Sequence, residues 1–288
     1  MSLSTQEFKA LRHPSEAFRF TLTLFVLVPA VIIGSVIVMA TSGIALIVIP
    51  TVIVTLWFAV RLFAANHLNN SIECSEQNFP EVIRAVQDAK EYFGYKGEVI
   101  AFVVDEGDFN AKLVMLLRRK YLMINAGILS EPDSDAQMRF VVGRFVGALA
   151  TKKYRFMWLQ AVLSSVERLM IFNLLLYPYE RSTQLSGDQM GLAMINGNLD
   201  AALNAMMRMT VGNSLANRVS IEGFVEQGQR HGHGFFSWLV RALSTFPHNT
   251  KRVENLIEFA EVLEARQTVV RTPQHVAQGD KTLMPLPA

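Results

Sequence analysis

Residues 20–60 contain no Asp, Glu, Lys, Arg or His. As one helix, these 41 residues would rise about 60 Å, roughly twice the hydrocarbon thickness of a bilayer. A water-soluble core has little room for such a block, so the block constrains the fold more than any other feature. Thr41-Ser42-Gly43 divides it into runs of about 20–40 and 44–63, each long enough to cross once. Pro29 and Pro50 fall within these runs, and neighbouring helices in a membrane can accommodate them. A cleaved signal peptide is the competing reading, since Lys9, Arg12 and Arg19 precede the first run and Val38 and Ala40 loosely match a cleavage site. The run is too long for that, and a second follows at once. A transmembrane hairpin over 20–63 is therefore expected. Lys9, Arg12 and Arg19 before it and Arg61 after it put both ends in the cytoplasm. Residues 1–19 are then a cytoplasmic segment, and the rest is a cytoplasmic domain at the cell membrane.

Composition agrees with this division. Charged residues are 18% of the chain, below the roughly 25% of soluble domains. The formal charge of +2 argues against a dedicated nucleic-acid binder. Cys74 stands alone, which excludes an intrachain disulfide framework and a cysteine zinc cage.

After the hairpin, residues 79–93 read as an amphipathic helix with Val82, Ala85, Val86, Ala89 and Phe93 on one face. Strands are expected over 98–105, 112–118 and 121–125, the last two joined through Arg118-Arg119-Lys120. Pro132-Asp133-Ser134 starts a helix over 135–150, and 156–179 is very apolar but broken by Glu167-Arg168. That stretch reads as a buried or interface-lying helix, with a third membrane crossing as the competing reading, and Lys152, Lys153 and Arg155 face either water or anionic lipid. Helices follow over 184–196, 199–210, 213–228 and 250–265, and a disordered tail over 266–288. The class is α+β, mainly helical, with a small sheet.

Chemistry-bearing constellations are sparse. His231 and His233 are the one close histidine pair, and with His248 they could supply three imidazoles to a metal; the competing reading is a glycine-rich surface loop. Ser182, Ser186 and Cys74 have no base nearby in sequence, and there is no phosphate-binding glycine motif.

Several strings, in order, resemble the HtpX-like membrane zinc metallopeptidases, a gluzincin family that includes the CAAX prenyl proteases. They are Asn110-Ala111, Asn125-Ala126-Gly127-Ile128-Leu129, Ser134-Asp135 leading into 140–149, 180–188, and Ser244-Thr245-Phe246-Pro247 leading into 251–256. The resemblance spans about 65–265 and implies a zincin-like domain after the hairpin. In that family the central helix carries HExxH, two zinc-binding histidines one turn apart with a general-base Glu between them. The matching positions here hold Arg144, Phe145 and Ala148, with Gly147 retained. The third ligand position is Gln184, followed by Asp188, and Phe246 replaces the histidine of the family's His-Pro string.

These replacements oppose metal chemistry. Ala148 offers no donor atom and Gln184 is neutral. Phe145 cannot take a proton. Arg144 puts a permanent cation where a dication should sit; at 4 Å, two unit charges repel by about 4 kcal/mol at an effective dielectric of 20, and a dication doubles this. No histidine lies between 68 and 230 to supply a shifted motif.

No cofactor is expected on this reading, and Arg144 is expected to pair with Asp188, with Gln184 able to add an amide hydrogen bond. Asn110, Ala111 and Lys112 correspond to the edge strand that holds peptide in the family; the competing reading is a charge-blunted edge. The leading expectation is a degenerate, membrane-anchored member that binds a membrane protein, a peptide segment or an active relative. The alternatives are an active zinc peptidase using His231, His233 and His248, and a structural subunit of a membrane complex.

Overall fold

Three helices precede the sheet: α1 (Thr5–Ala10), α2 (Ser15–Ala40) and α3 (Ala45–Asn69). The structure is a computed structural model describing residues 3, 5–40, 45–105, 111–116, 119–129, 135–151, 170–216, 218–231, 234–244 and 247–271. α2 and α3 run for 26 and 25 residues. They leave large apolar side chains in the open, among them Phe25 (77% exposed), Met39 (77%) and Ile47 (72%). α3 continues past Arg61 to Asn69, so the boundary expected near residue 65 falls inside a helix. Among the described residues no helix presents a window long and apolar enough to cross a membrane. The observed fold is thus two long apolar helices in succession, and it does not itself show a two-pass membrane hairpin.

The sheet has four strands in the order β1 (Ile72–Glu73), β2 (Ile100–Val104), β4 (Arg119–Asn125), β3 (Ala111–Leu116). β1 is antiparallel to β2, β2 parallel to β4, and β3 antiparallel to β4 with Ala111 opposite Ile124 and Leu116 opposite Arg119. Residues alternate between the faces. Ala101, Val103, Leu122 and Ile124 join the main core, while Phe102 and Tyr121 pair their rings at 5.9 Å among the other buried residues. Arg119 and Lys120 lie within β4, so the basic triplet is partly strand where a connection was expected.

α4 (Pro80–Tyr92) forms as its spacing predicts. Pro80 occupies the first turn, where no amide partner is needed, and Val82, Ala85, Val86 and Ala89 are buried. α5 (Ala126–Leu129) is a single turn, and α6 (Asp135–Ala150) follows. From Phe140 to Leu149 every residue of α6 is buried, the mark of a helix enclosed on all sides. It packs against α4, α7 (Met170–Met194) and α8 (Leu199–Val211). Residues 152–169, which hold much of the apolar stretch, lie outside the described residues.

Beyond α8 come α9 (Asn213–Ala216), α10 (Ile221–His231), α11 (Phe235–Leu243) and α12 (Asn249–Arg271). The helix expected over 213–228 is thus two. Ser220 starts the second by accepting the Gly223 N–H at 3.2 Å, as an N-cap does. α11 falls where no helix was expected. α12 reaches Arg271, past the expected start of the tail at 266; Glu, Ala, Arg and Gln are good helix formers without any apolar stripe. Residues 272–288 lie outside the described residues.

Candidate functional site

The site is built where α6 and α7 cross, and glycines set how closely they approach. A Cβ on Gly147 would fall 2.9 Å from Met190 Cβ, and one on Gly143 would fall 2.7 Å from Met194 Sδ. A Cβ on Gly191 would lie 2.7 Å from the Phe140 carbonyl oxygen, and one on Gly187 3.3 Å from the Arg144 carbonyl oxygen. Gly143 and Gly147 on one helix thus face Gly187 and Gly191 on the other, each pair one turn apart. Matches of 143 with 194 and 147 with 190 make the helices antiparallel. Small residues at this spacing let backbones come close, which places Arg144 over Asp188.

Asp188 is fully buried and is held from two sides. Arg144 Nε lies 2.5 Å from Asp188 Oδ1. From α12, Arg252 Nε donates to Oδ2 at 2.8 Å and Nη2 to Oδ1 at 2.9 Å, the two-pronged geometry that suits a guanidinium. Arg144 further donates from Nη1 to Met209 Sδ at 3.2 Å, and its guanidinium carbon lies 5.4 Å from the Phe145 ring centre. Beside this cluster, Gln189 Nε2 donates to Asn255 Oδ1 at 3.1 Å. Burial pushes the Asp188 carboxyl up, but the charges of Arg144 and Arg252 and their hydrogen bonds outweigh it and hold it below the usual carboxylate range.

The expected Arg144–Asp188 pair is therefore present, and the residues around it do not fit a metal. Two guanidiniums and one carboxylate sum to +1. Phe145 and Ala148 are buried and donorless, and Gln184 is half-buried without a hydrogen bond to the cluster. Asp188, the one carboxylate on these positions, is already engaged by two cations.

Sequence reasoning missed Arg252. Its signal was readable: Arg252, Leu256 and Phe259 are spaced i, i+4, i+7, so a cation sits on the apolar stripe of α12, where Leu256 and Phe259 are buried. A charge there needs a buried partner.

The remaining candidates are scattered. Ala111 and Lys112 begin β3, at the end of the sheet order, opposite Ile124 and Met123; Asn110 lies outside the described residues. His231 ends α10 and is exposed, His233 and Phe246 lie outside the described residues, and His248 is half-buried. Burial, then Arg241 and Arg181, push the His248 imidazole below its usual pKa. Among the described residues, no three His, Cys, Asp or Glu side chains come together as a metal site would require.

Ser186 has neighbours the sequence did not suggest. Its Oγ donates to Glu16 Oε2 at 2.5 Å and accepts the His13 backbone N–H at 3.0 Å. The His13 ring instead pairs with Ser15 through Nδ1 at 2.8 Å. Ser186 is fully buried, so this contact docks the N-terminal segment on α7 and does not resemble a nucleophile with its base.

Comparison with protein-family models, curated proteins and solved structures finds no match to this chain.

Proposed function

We propose that the chain is a membrane-anchored, metallopeptidase-like protein that has given up zinc chemistry and works by binding another protein or peptide segment. The observation that carries this reading is the Arg144–Asp188–Arg252 cluster. One of its members, Arg144, stands where the resemblance calls for a ligand, and the cluster puts fixed positive charge there. The membrane part of the proposal rests on the charge-free block at 20–60 and on the exposed apolar side chains of α2 and α3. Isolated exposed apolar residues are ordinary, but a contiguous sleeve of them in water is not. Lys9, Arg12, Arg19 and Arg61 orient the folded domain to the cytoplasm. The binding surface is β3, the terminal strand of the sheet order, beginning at Ala111 and Lys112, where an extended segment can add as a further strand.

Restoring the ligand set tests the inherited geometry. Antiparallel crossing of α6 and α7 puts Ala148, one turn beyond Arg144, level with Gln184, one turn before Asp188. The variant combining Arg144→His, Phe145→Glu, Ala148→His and Gln184→Glu should acquire about one zinc per chain. A variant that stays folded, with Cys74 still protected, yet binds no zinc would show that these positions never formed a metal site. A photo-crosslinker at Lys112 tests the binding surface: crosslinks to a membrane protein or extended segment are expected, and a surface that captures neither argues against strand addition.

A further inference from the structure

α11 carries large apolar side chains that are more than half exposed. It has nine residues, so it is about 13 Å long. Phe235 is 66% exposed and Trp238 53%, and their rings stack with centres 6.0 Å apart and planes 30° apart. Two large aromatics stacked in the open on one short helix are costly in water and suited to the boundary of a bilayer, where tryptophan concentrates.

Its attachment says where that surface sits. Arg181 of α7 donates through Nη1 to the Arg241 carbonyl and to the Ser244 carbonyl, the latter at 2.8 Å. The C-terminal end of α11 is thereby capped by a cation. Less than one turn earlier on α7, the Pro178 carbonyl accepts Arg19 Nη1 at 3.0 Å, and the Tyr179 ring lies 5.3 Å from that of Phe20. Arg19 is the last charged residue before the uncharged block, and Phe20 is its first residue. At 1.5 Å per residue, Trp238 is about 4–5 Å and Phe235 about 9 Å from the Arg241 end of α11. Less than one turn of α7 thus joins the C-terminal end of α11, held by Arg181, to the start of the first membrane segment, held at Pro178 and Tyr179. Arg181 has Arg19 and Glu180 as its charged neighbours, and His248 has Arg241 and Arg181. A net positive collar there matches anionic headgroups.

We propose that α11 lies on the cytoplasmic face of the bilayer and presses Phe235 and Trp238 into the lipid interface, tying the folded domain to the membrane at a second point. The placement depends on α2 and α3 crossing that bilayer. It turns α11 toward lipid and adds a second membrane contact to the one that α2 provides by packing on α7 at Arg19 and Phe20.

Tryptophan fluorescence tests this with the full chain in equimolar phosphatidylcholine–phosphatidylglycerol vesicles. The chain has three tryptophans, Trp57, Trp158 and Trp238. A variant with Trp57→Phe and Trp158→Phe reports on Trp238; a variant with Trp158→Phe and Trp238→Phe reports on Trp57. Trp238 should be quenched by lipids brominated just below the headgroup and much less by lipids brominated near the chain end. Trp57 should be quenched by one or both brominated lipids. Quenching of Trp57 without quenching of Trp238 overturns the placement of α11 and leaves the anchor standing. Blue-shifted Trp238 emission without lipid quenching overturns it too, by showing that protein covers the face. Absence of quenching at both tryptophans overturns the anchor and the placement together.

Discussion

Replacing Asp188 with alanine removes the carboxylate on which Arg144 and Arg252 converge. Both cations contact the same oxygen, Oδ1, at 2.5 and 2.9 Å, so their nitrogens come within about 5 Å of each other. Without the carboxylate, two guanidiniums at that separation repel by about 3 kcal/mol at an effective dielectric of 20. Arg144, already 6% exposed, has little access to water in compensation. Removing one member of a buried ion pair costs about 3–5 kcal/mol, a large share of the roughly 5–15 kcal/mol that holds a domain together. The chain supplies its own reporter. Cys74 is its one cysteine and is buried, and burial, then Glu81 and Glu73, push its thiol up to about 12. Maleimide labelling in detergent therefore proceeds through opening of the domain, and Asp188→Ala should accelerate it roughly a hundredfold or more. Adding Arg144→Met and Arg252→Met to the same chain should recover most of the loss, because apolar replacement of a whole buried ion cluster is tolerated. A single variant within about 1 kcal/mol of the parent, or a triple variant no better than the single, would refute the claim that the cluster clamps α6, α7 and α12.

Two further perturbations follow from the same geometry. Gly191→Ala drives a methyl into the Phe140 carbonyl and Arg144 Cγ, at 2.7 and 2.8 Å, and should cost about 1–3 kcal/mol, read as a lower unfolding midpoint; Gly34→Ala, with nothing within 4 Å, should not. Acidification should loosen the N-terminal docking. Burial, then Arg19, lower the His13 pKa, with Lys251 acting the same way and Glu16 and Glu258 opposing, so the folded state favours the neutral ring. That contribution is complete above the unfolded value of about 6.5 and is lost as pH falls through the folded value. The midpoint should drop between about pH 7.5 and pH 5, and His13→Gln should flatten the slope.

How much of this was legible varies with the physics behind each element. The face of α4 follows from Val82, Ala85, Val86 and Ala89, buried as their spacing requires. The bounds of α6 came from an equally plain pattern, while β2 proved shorter at both ends than the expected 98–105. The short helices did not: Ser220 capping and the isolated run after Gly234 are local cues that a four-turn window averages away, so the single helix expected over 213–228 is α9 and α10, and α11 has no expected counterpart. The Arg144–Asp188 pair was foreseeable only through the resemblance, which sets both residues around one site. Arg252 was not, because its partner is 64 residues away and only the folded chain brings α12 against α7. Likewise Glu16 meets Ser186 across 170 residues, a contact with no trace in periodicity or spacing. Pattern reports what one helix needs buried; it does not say which distant group will meet a charge placed there.

The central claim is the proposal that the cluster around Asp188 leaves no metal bound where the resemblance expects one. Its most direct test is the metal content of the full-length chain, purified in detergent without chelators and dialysed against buffer containing zinc. The account predicts far less than one zinc per chain, unchanged by His231→Ala and His233→Ala. One zinc per chain that survives dialysis, and that is lost together with a peptidase activity in those variants, would contradict it.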